Sequence, residues 1–340
     1  MHVLNEAARR PARRRRALVV ASVVAAATLL AGCSSNAPSP GGGQTVEALA
    51  PIADRPQPVS QKPDEHVKIA IIGYSNNPFF VNVKAGADAA NRVLLAHKAR
   101  VGWVNAGTDI DVPTGNTAVQ SAGGQGYQGI GFFIAGDGNC PIIKSLTAKK
   151  IAMGVYNSEI PCVATSGGII DYSQASYAAG ENSAKELLKA LDGKGGKVGI
   201  ITNLFTSPSN EQRRKGFIDG LQGSNVTVVS QGVEAHDSAS ETATAAKNYI
   251  QSTPDLVAIY CTAGGPFGAA QAVKAAGKEK DVKVVGYDIT AENIAALKDG
   301  SLYGVTGQDA FGQGYNVAIT LFNAIVTGEK PAEVNVAGDA

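Results

Sequence analysis

The chain has 340 residues and a formal net charge of +1, with 30 Lys and Arg against 29 Asp and Glu. That length is enough for two domains of ordinary size, each with its own core. The basic excess lies in Arg9, Arg10 and Arg13–Arg16; the remainder has no phosphate-tracking surface, which argues against nucleic-acid binding.

Residues 1–33 read as a targeting segment. The arginine cluster is followed by Ala17–Ala31, an apolar run too short for a comfortable membrane span. It closes on Leu30-Ala31-Gly32-Cys33, which resembles the lipobox of bacterial lipoproteins. The resemblance implies acylation of Cys33 and an extracytoplasmic, lipid-anchored protein. Adjacent Arg pairs leave twin-arginine and general secretory export both open. Residues 34–66, rich in Pro, Gly, Ser and Ala, are expected to be a disordered tether. With Cys33 lipidated, Cys140, Cys162 and Cys261 remain, which allows at most one bridge within the chain. A Cys140–Cys162 disulfide is the pairing considered, because each Cys follows a neighbouring predicted strand.

From Val67 onward, apolar runs of strand length alternate with amphipathic stretches. The first, Val67–Gly73, is β-branched and reads as a buried parallel strand. Asn77 and Pro78 suit a helix N-cap and first turn, opening a helix over Phe79–His97. Phe79-Phe80 at that helix start suggests either core packing under a loop or an aromatic wall for a small ligand. Strands follow at Arg100–Asn105, Gly129–Ala135, Ile151–Tyr156 and Val163–Ile169, then Lys197–Thr202, Val226–Gly232, Leu256–Cys261, Val282–Tyr287 and Leu302–Thr306. Helices are expected at Gln174–Leu191, Ser209–Leu221, Ser238–Ser252, Phe267–Ala276, Ala291–Lys298 and Gly312–Thr327. Repeated β-α alternation implies an α/β fold with parallel sheets. There is too much of it for one sheet, so two doubly wound lobes joined by a multi-strand hinge are expected. Residues 67–170 and 309–332 are assigned to an N-terminal lobe, and 171–308 and 333–340 to a C-terminal lobe.

Signals for catalysis are absent. Gly124-Gln-Gly-Tyr-Gln-Gly129 matches a dinucleotide fingerprint, but it precedes a strand instead of following one, so it reads as a turn. His66, His97 and His236 have no zinc-ligand spacing, and neither a GxSxG elbow nor a Walker A sequence occurs. No enzyme activity, cofactor or metal is expected.

The stretch NNPFF followed by V-x-x-K-x-G-A resembles the first strand, ligand loop and first helix of periplasmic sugar-binding proteins of the ribose-binding type. The likeness extends from about Val67 to Lys330 and implies a type I periplasmic-binding fold with its ligand between the lobes. Asn77, Phe79 and Phe80 fall on that family's first-loop ligand positions. Arg213 falls on its arginine opening a second-lobe helix, Asp288 on its strand-end aspartate and Gln308 on its hinge-side glutamine. The chain departs from the pattern at Tyr156-Asn157, where ribose binders carry an Asp-Arg pair. It departs again at His236, in place of a ring-stacking Phe, and at Thr262, in place of an Asn. These departures put ribose in doubt and favour another monosaccharide or a sugar alcohol. The resemblance implies a monomeric binding lipoprotein that delivers its ligand to an ABC permease. Two other readings are a sugar receptor feeding a sensor kinase and a lipid-anchored hydrolase, the latter disfavoured by the missing nucleophile motif.

Overall fold

Strand after strand in this chain is apolar on both faces, and each is followed by a helix, so each sheet must be covered on both sides. The computed structural model describes residues 47–332 and 334–337. The segment 1–33, including Cys33, lies outside them. The first lobe runs β1 (Val67–Gly73), α1 (Phe79–Leu94), β2 (Ala99–Asn105), α2 (Val112–Gly124), β3 (Gly129–Phe133), α3 (Cys140–Ala148), β4 (Ala152–Asn157), α4 (Cys162–Thr165) and β5 (Ile170–Ser173). The second runs α5 (Ser176–Leu191), β6 (Gly196–Thr202), α6 (Pro208–Gly220), β7 (Val226–Val228), β8 (Val233–Glu234), α7 (Ala239–Ser252), β9 (Leu256–Cys261), α8 (Pro266–Ala275), β10 (Lys283–Tyr287), α9 (Ala291–Lys298) and β11 (Gly304–Thr306). The chain then returns to the first lobe through α10 (Ala310–Thr327) and β12 (Asn335–Ala337).

Both sheets are parallel and share one winding order. The first reads β12-β5-β4-β3-β1-β2, and the second β11-β10-β9-β6-β7, with β8 also on β6. In each, the strand order reverses beside the first strand of the lobe. Crevices at such reversals, beyond the carboxyl ends of the strands, are where open α/β sheets bind ligands. The fold is therefore the expected pair of doubly wound lobes, with a crevice of each facing the other.

Each lobe has one core per sheet face. Ile69, Ile71, Val83, Val317 and Leu321 fill one face of the first sheet, and Ile130, Ile143 and Val155 the other. Each fully buried Ile, Val or Leu contributes roughly 1.5–3 kcal/mol. The outer helices pair through glycine. Cβ atoms at Gly180 or Gly216 would run into the carbonyls of Arg213 and Tyr177, so α5 and α6 meet backbone to backbone. That contact sets the height of α6 and of Arg213 upon it.

Three expectations are corrected. The strand expected at Val163–Ile169 is the short helix α4, and the strand comes later, at Ile170–Ser173. Its polar residues hid it: Asp171 and Ser173 are buried, and Asp171 accepts the Ile160 N–H at 3.1 Å. Residues 335–337, assigned to the second lobe, pair with β5 (Asn335 opposite Asp171) and join the first sheet, as do residues 171–173. Finally, within the stretch 34–66 expected as a disordered tether, residues 47–61 form an ordered strap on α1 and α10. Leu49, Ile52 and Val59 pack on the first core. Leu49 N donates to Arg92 O (3.2 Å), Val59 N to Asn323 Oδ1 (2.9 Å) and Asn323 Nδ2 to Gln57 O (2.9 Å). Three apolar residues spaced by prolines show no period, because an extended strap takes its backbone hydrogen bonds largely from the helices it crosses.

Candidate functional site

A cleft of about 220 Å³ lies between the lobes. On the first-lobe side it is walled by Asn77, Phe79, Phe80, Phe133, Asn157 and the turns after β2 and β3. On the second-lobe side it is walled by residues 203, 204, 206, 207, 209 and 210, with Arg213, Asp237, Ala263, Gly264 and Asp288. Gln308, where the chain crosses back, forms the floor. The winding order accounts for this composition. The turns after β1 and β3 and those after β6 and β9 flank the two reversals, and all four reach the cleft.

The apolar wall is a cluster of aromatic rings. Phe79 and Phe80 are 4% and 2% exposed, with centroids 5.2 Å apart and planes nearly perpendicular. Phe80 meets Phe133 edge-on at 5.5 Å, and Tyr74 closes the group from behind. Edge-to-face packing locks the ring orientations. Phe79 and Phe80 are packed in the first core and also form part of the cleft wall. Asn77 holds the turn open, its Oδ1 accepting the Phe79 N–H at 2.9 Å.

The polar wall is built on Arg213, 2% exposed. In α6, the buried stripe begins with Ser209, Asn210 and Arg213 at the cleft end and finishes with Gly216 and Phe217 in the core. The guanidinium lies over the Tyr287 ring, 4.2 Å from its centroid. Nη1 donates to Thr262 O at 3.0 Å, and Nη2 donates to Gln308 Oε1. Nε has no acceptor among the described residues. Gln308 relays the chain: Oε1 also accepts from Asn157 Nδ2 at 3.3 Å, and Nε2 donates to Asp288 Oδ1. Asp288 has a φ of 77°, and Asn293 Nδ2 clamps the carbonyls on both sides of that strand end at 2.9 and 2.8 Å. Burial pushes the Asp288 carboxyl above its ordinary range, and Arg213 and Gln308 partly pull it back.

Asp237 is the second carboxylate. Its Oδ2 accepts from Asn77 Nδ2 and Asn203 Nδ2, both at 2.8 Å. Burial, and then the neighbouring Asp288, push its pKa up to about 7.

Of the ten residues singled out in the sequence, Asn77, Phe79, Phe80, Asn157, Arg213, Asp288 and Gln308 converge on this one cleft. Three do not reach its wall. Tyr156 is fully buried beneath it, its hydroxyl donating to Ile72 O at 2.6 Å. Thr262 is buried behind Arg213, with its hydroxyl between Thr202 (2.9 Å) and Asn210 (3.3 Å). His236 points outward, 56% exposed, with Nδ1 2.8 Å from Glu241. Its neighbour Asp237 takes the cleft position, because consecutive left-handed residues (φ 46° and 53°) turn the second side chain inward. Sequence reasoning missed Asp237. Its signal was an acidic residue directly after a residue already singled out. Cys140 and Cys162 do not line the cleft; they are joined in a disulfide with Cα atoms 6.1 Å apart.

Among the described residues no cluster of His, Cys, Asp and Glu could hold a metal ion, and no helix is long and apolar enough to cross a membrane. The arrangement can hold a small molecule between an aromatic face and a set of charged and amide edges.

Comparison with known proteins gives this geometry its context. The profile of the periplasmic binding protein domain matches residues 69–330. The D-allose-binding periplasmic protein of Escherichia coli is 24% identical over 268 residues, covering 76% of this chain and 83% of the relative. A glucose-galactose binding protein from Geobacillus stearothermophilus superposes with a TM-score of 0.72 at 22% identity, covering 81% of this chain and 96% of its own. An ABC transporter solute-binding protein from Burkholderia graminis, solved with D-arabinose, gives 0.72 at 20% identity, with 81% and 94% covered.

Proposed function

The chain belongs to the periplasmic binding protein domain family, whose relatives here are sugar-binding transport proteins and not enzymes, and we propose that its cleft captures a small monosaccharide or sugar alcohol for delivery to an ABC permease. One observation carries the reading. Arg213 is buried at the meeting point of both lobes, tied to Gln308, with its Nε–H left without an acceptor among the described residues. A ligand hydroxyl is the acceptor such a donor needs, since a buried donor left unpaired costs about 1–3 kcal/mol. Asp237 and Asp288 accept from further hydroxyls, and Phe79 and Phe80 lie against the apolar face of the ligand.

Capture works through closure. In an open form each lobe offers half of these partners to water. A ligand that bonds to both lobes favours the closed form by its differential affinity alone. Asn77, Asn157 and the aromatic wall come from one lobe, and Arg213, Asp237 and Asp288 from the other, so the ligand is fully bonded only in the closed form.

Anchoring through an acylated Cys33 completes the proposal; that residue lies outside those described. Cys33→Ala is expected to move the protein from the membrane fraction to the soluble one with binding unchanged. The ligand reading is tested by thermal shift and calorimetry with pentoses, hexoses and C4–C6 polyols, since a ligand that binds only the folded state raises its stability. A panel in which none of them stabilises the protein would overturn it.

A further inference from the structure

We propose that Arg55, in the strap that precedes the first lobe, is a positioning residue for ligand capture: it fixes Asp309 at the return crossing and thereby the presentation of Gln308 in the cleft. The proposal rests on the reading of the cleft as the ligand site.

The geometry around Asp309 is complete. Its Oδ1 accepts from Arg55 Nη2 (2.8 Å) and from the Gly312 N–H (3.0 Å). Its Oδ2 accepts from Arg55 Nη1 and from the Tyr172 hydroxyl, both at 2.8 Å. A carboxylate offers about four lone-pair directions, and all are taken. The fork-to-fork pairing with Arg55 fixes orientation as well as distance. Arg55 is itself steadied, 5.2 Å over the Phe311 ring. Burial raises the Asp309 carboxyl, but the bonds from Arg55 and Tyr172 outweigh it and hold the group below its ordinary range.

The restraint falls where the backbone has least freedom to keep its shape unaided. Asp309 is left-handed (φ 46°, ψ 49°) and caps α10. For a residue with a Cβ that conformation is costly, less so for Asp than for most, and the contacts around Asp309 hold it. Gly312 is part of the device, because a Cβ there would overlap both the Asp309 carboxylate and the Arg55 guanidinium. On the cleft side the next residue is Gln308, whose amide bonds Arg213, Asn157 and Asp288. Its carbonyl is held by Gln313 Nε2 at 2.8 Å, and the preceding Gly307 carbonyl by Gln174 Nε2 at 2.6 Å. The peptide bearing the cleft's central amide is thus fixed from two sides, and Arg55 supplies the charged contact on one of them.

The test compares Arg55→Ala, Arg55→Lys and Arg92→Ala. Arg92 ties the far end of the strap by donating from Nε to Glu47 O at 3.0 Å, and it makes no contact with Asp309. Two readouts are taken. The first is amide hydrogen exchange at Gly312 and Gln313 without ligand, referenced to amides of β3. The second is calorimetric affinity for D-allose and D-ribose. Arg55→Ala is expected to speed exchange at those two amides and weaken sugar binding, each roughly tenfold. Arg55→Lys, which cannot make the bidentate pair, should fall between wild type and Arg55→Ala. Arg92→Ala should leave both readouts at wild type. Unchanged exchange in Arg55→Ala, or the same losses in Arg92→Ala, would overturn the proposal by reducing the strap to general support. If neither sugar binds the wild type, the ligand reading fails for those sugars, and the exchange readout still decides the role of Arg55.

Discussion

Asn77 of the first lobe and Asp237 of the second meet across the cleft, Nδ2 donating to Oδ2 at 2.8 Å. Asn77 also orders the turn that carries Phe79, and Asp237 lies beside Asp288. One hydrogen bond therefore joins the aromatic wall to the acidic one, and it exists only while the lobes are together. With Asn82 Nδ2 donating to Ile289 O at 3.1 Å, it is one of the hydrogen bonds between the lobes.

Asp237→Ala should therefore weaken sugar binding by about one to two orders of magnitude, the loss expected when a buried hydrogen-bonding partner is removed. His236→Ala, one residue away and outward-facing, should leave affinity alone. Calorimetry on the two variants decides between the neighbours. Equal losses in both would take Asp237 out of the site.

Arg213→Ala should cost affinity and also stability. The side chain is buried, and its removal strands the Thr262 carbonyl and leaves Gln308 Oε1 with the Asn157 bond alone. Leaving a buried carbonyl unpaired costs about 1–3 kcal/mol. Urea denaturation of the unliganded variant reads this directly. A midpoint equal to wild type would show that water replaces the guanidinium without penalty.

Asp171 gives stability a pH dependence with a definite sign. Burial is the main reason its pKa is pushed up to about 7, against 3.8 for an ordinary Asp. The native chain thus keeps a proton that the unfolded chain releases, and stability falls as pH rises between about 4 and 7. Asp237 acts in the same direction. Asp171→Asn retains an acceptor for the Ile160 N–H and should flatten the decline, leaving the parts due to Asp237 and Asp288. Thermal melts at pH 5 and pH 8 test this, and an unaltered difference between them would refute it.

The Cys140–Cys162 bridge spans 22 positions and ties the start of α3 to α4. Replacing both cysteines with serine should lower stability by about 3 kcal/mol in the chain-entropy account. Mass spectrometry of the unreduced protein provides the check. Free thiols at both positions would contradict the bridge.

Much of this protein was legible locally. Strands such as Val67–Gly73 and Leu256–Cys261 must be apolar on both faces to sit inside a covered sheet, and that requirement is written in consecutive residues. The alternation of such runs with amphipathic helices sets the fold class. Asn77, Phe79, Arg213, Asp288 and Gln308 stood out because each lies at or near the end of a strand or the start of a helix. In parallel sheets those ends share one edge.

What remained depended on contacts far apart in sequence. β5 buries Asp171 and Ser173, which no apolar pattern announces, and pairs with β12, more than 150 residues on. The strap draws its order from α1 and α10, so its own composition reads as a tether. The choice of Asp237 over His236 rests on two successive left-handed residues, and in such a turn neither strand nor helix period says which side chain points inward. Arg55 reaches Asp309 across 254 positions. Sequence order brings secondary-structure elements together, but it is tertiary packing that brings a strap, a crossing and a cleft into one hydrogen-bonded line.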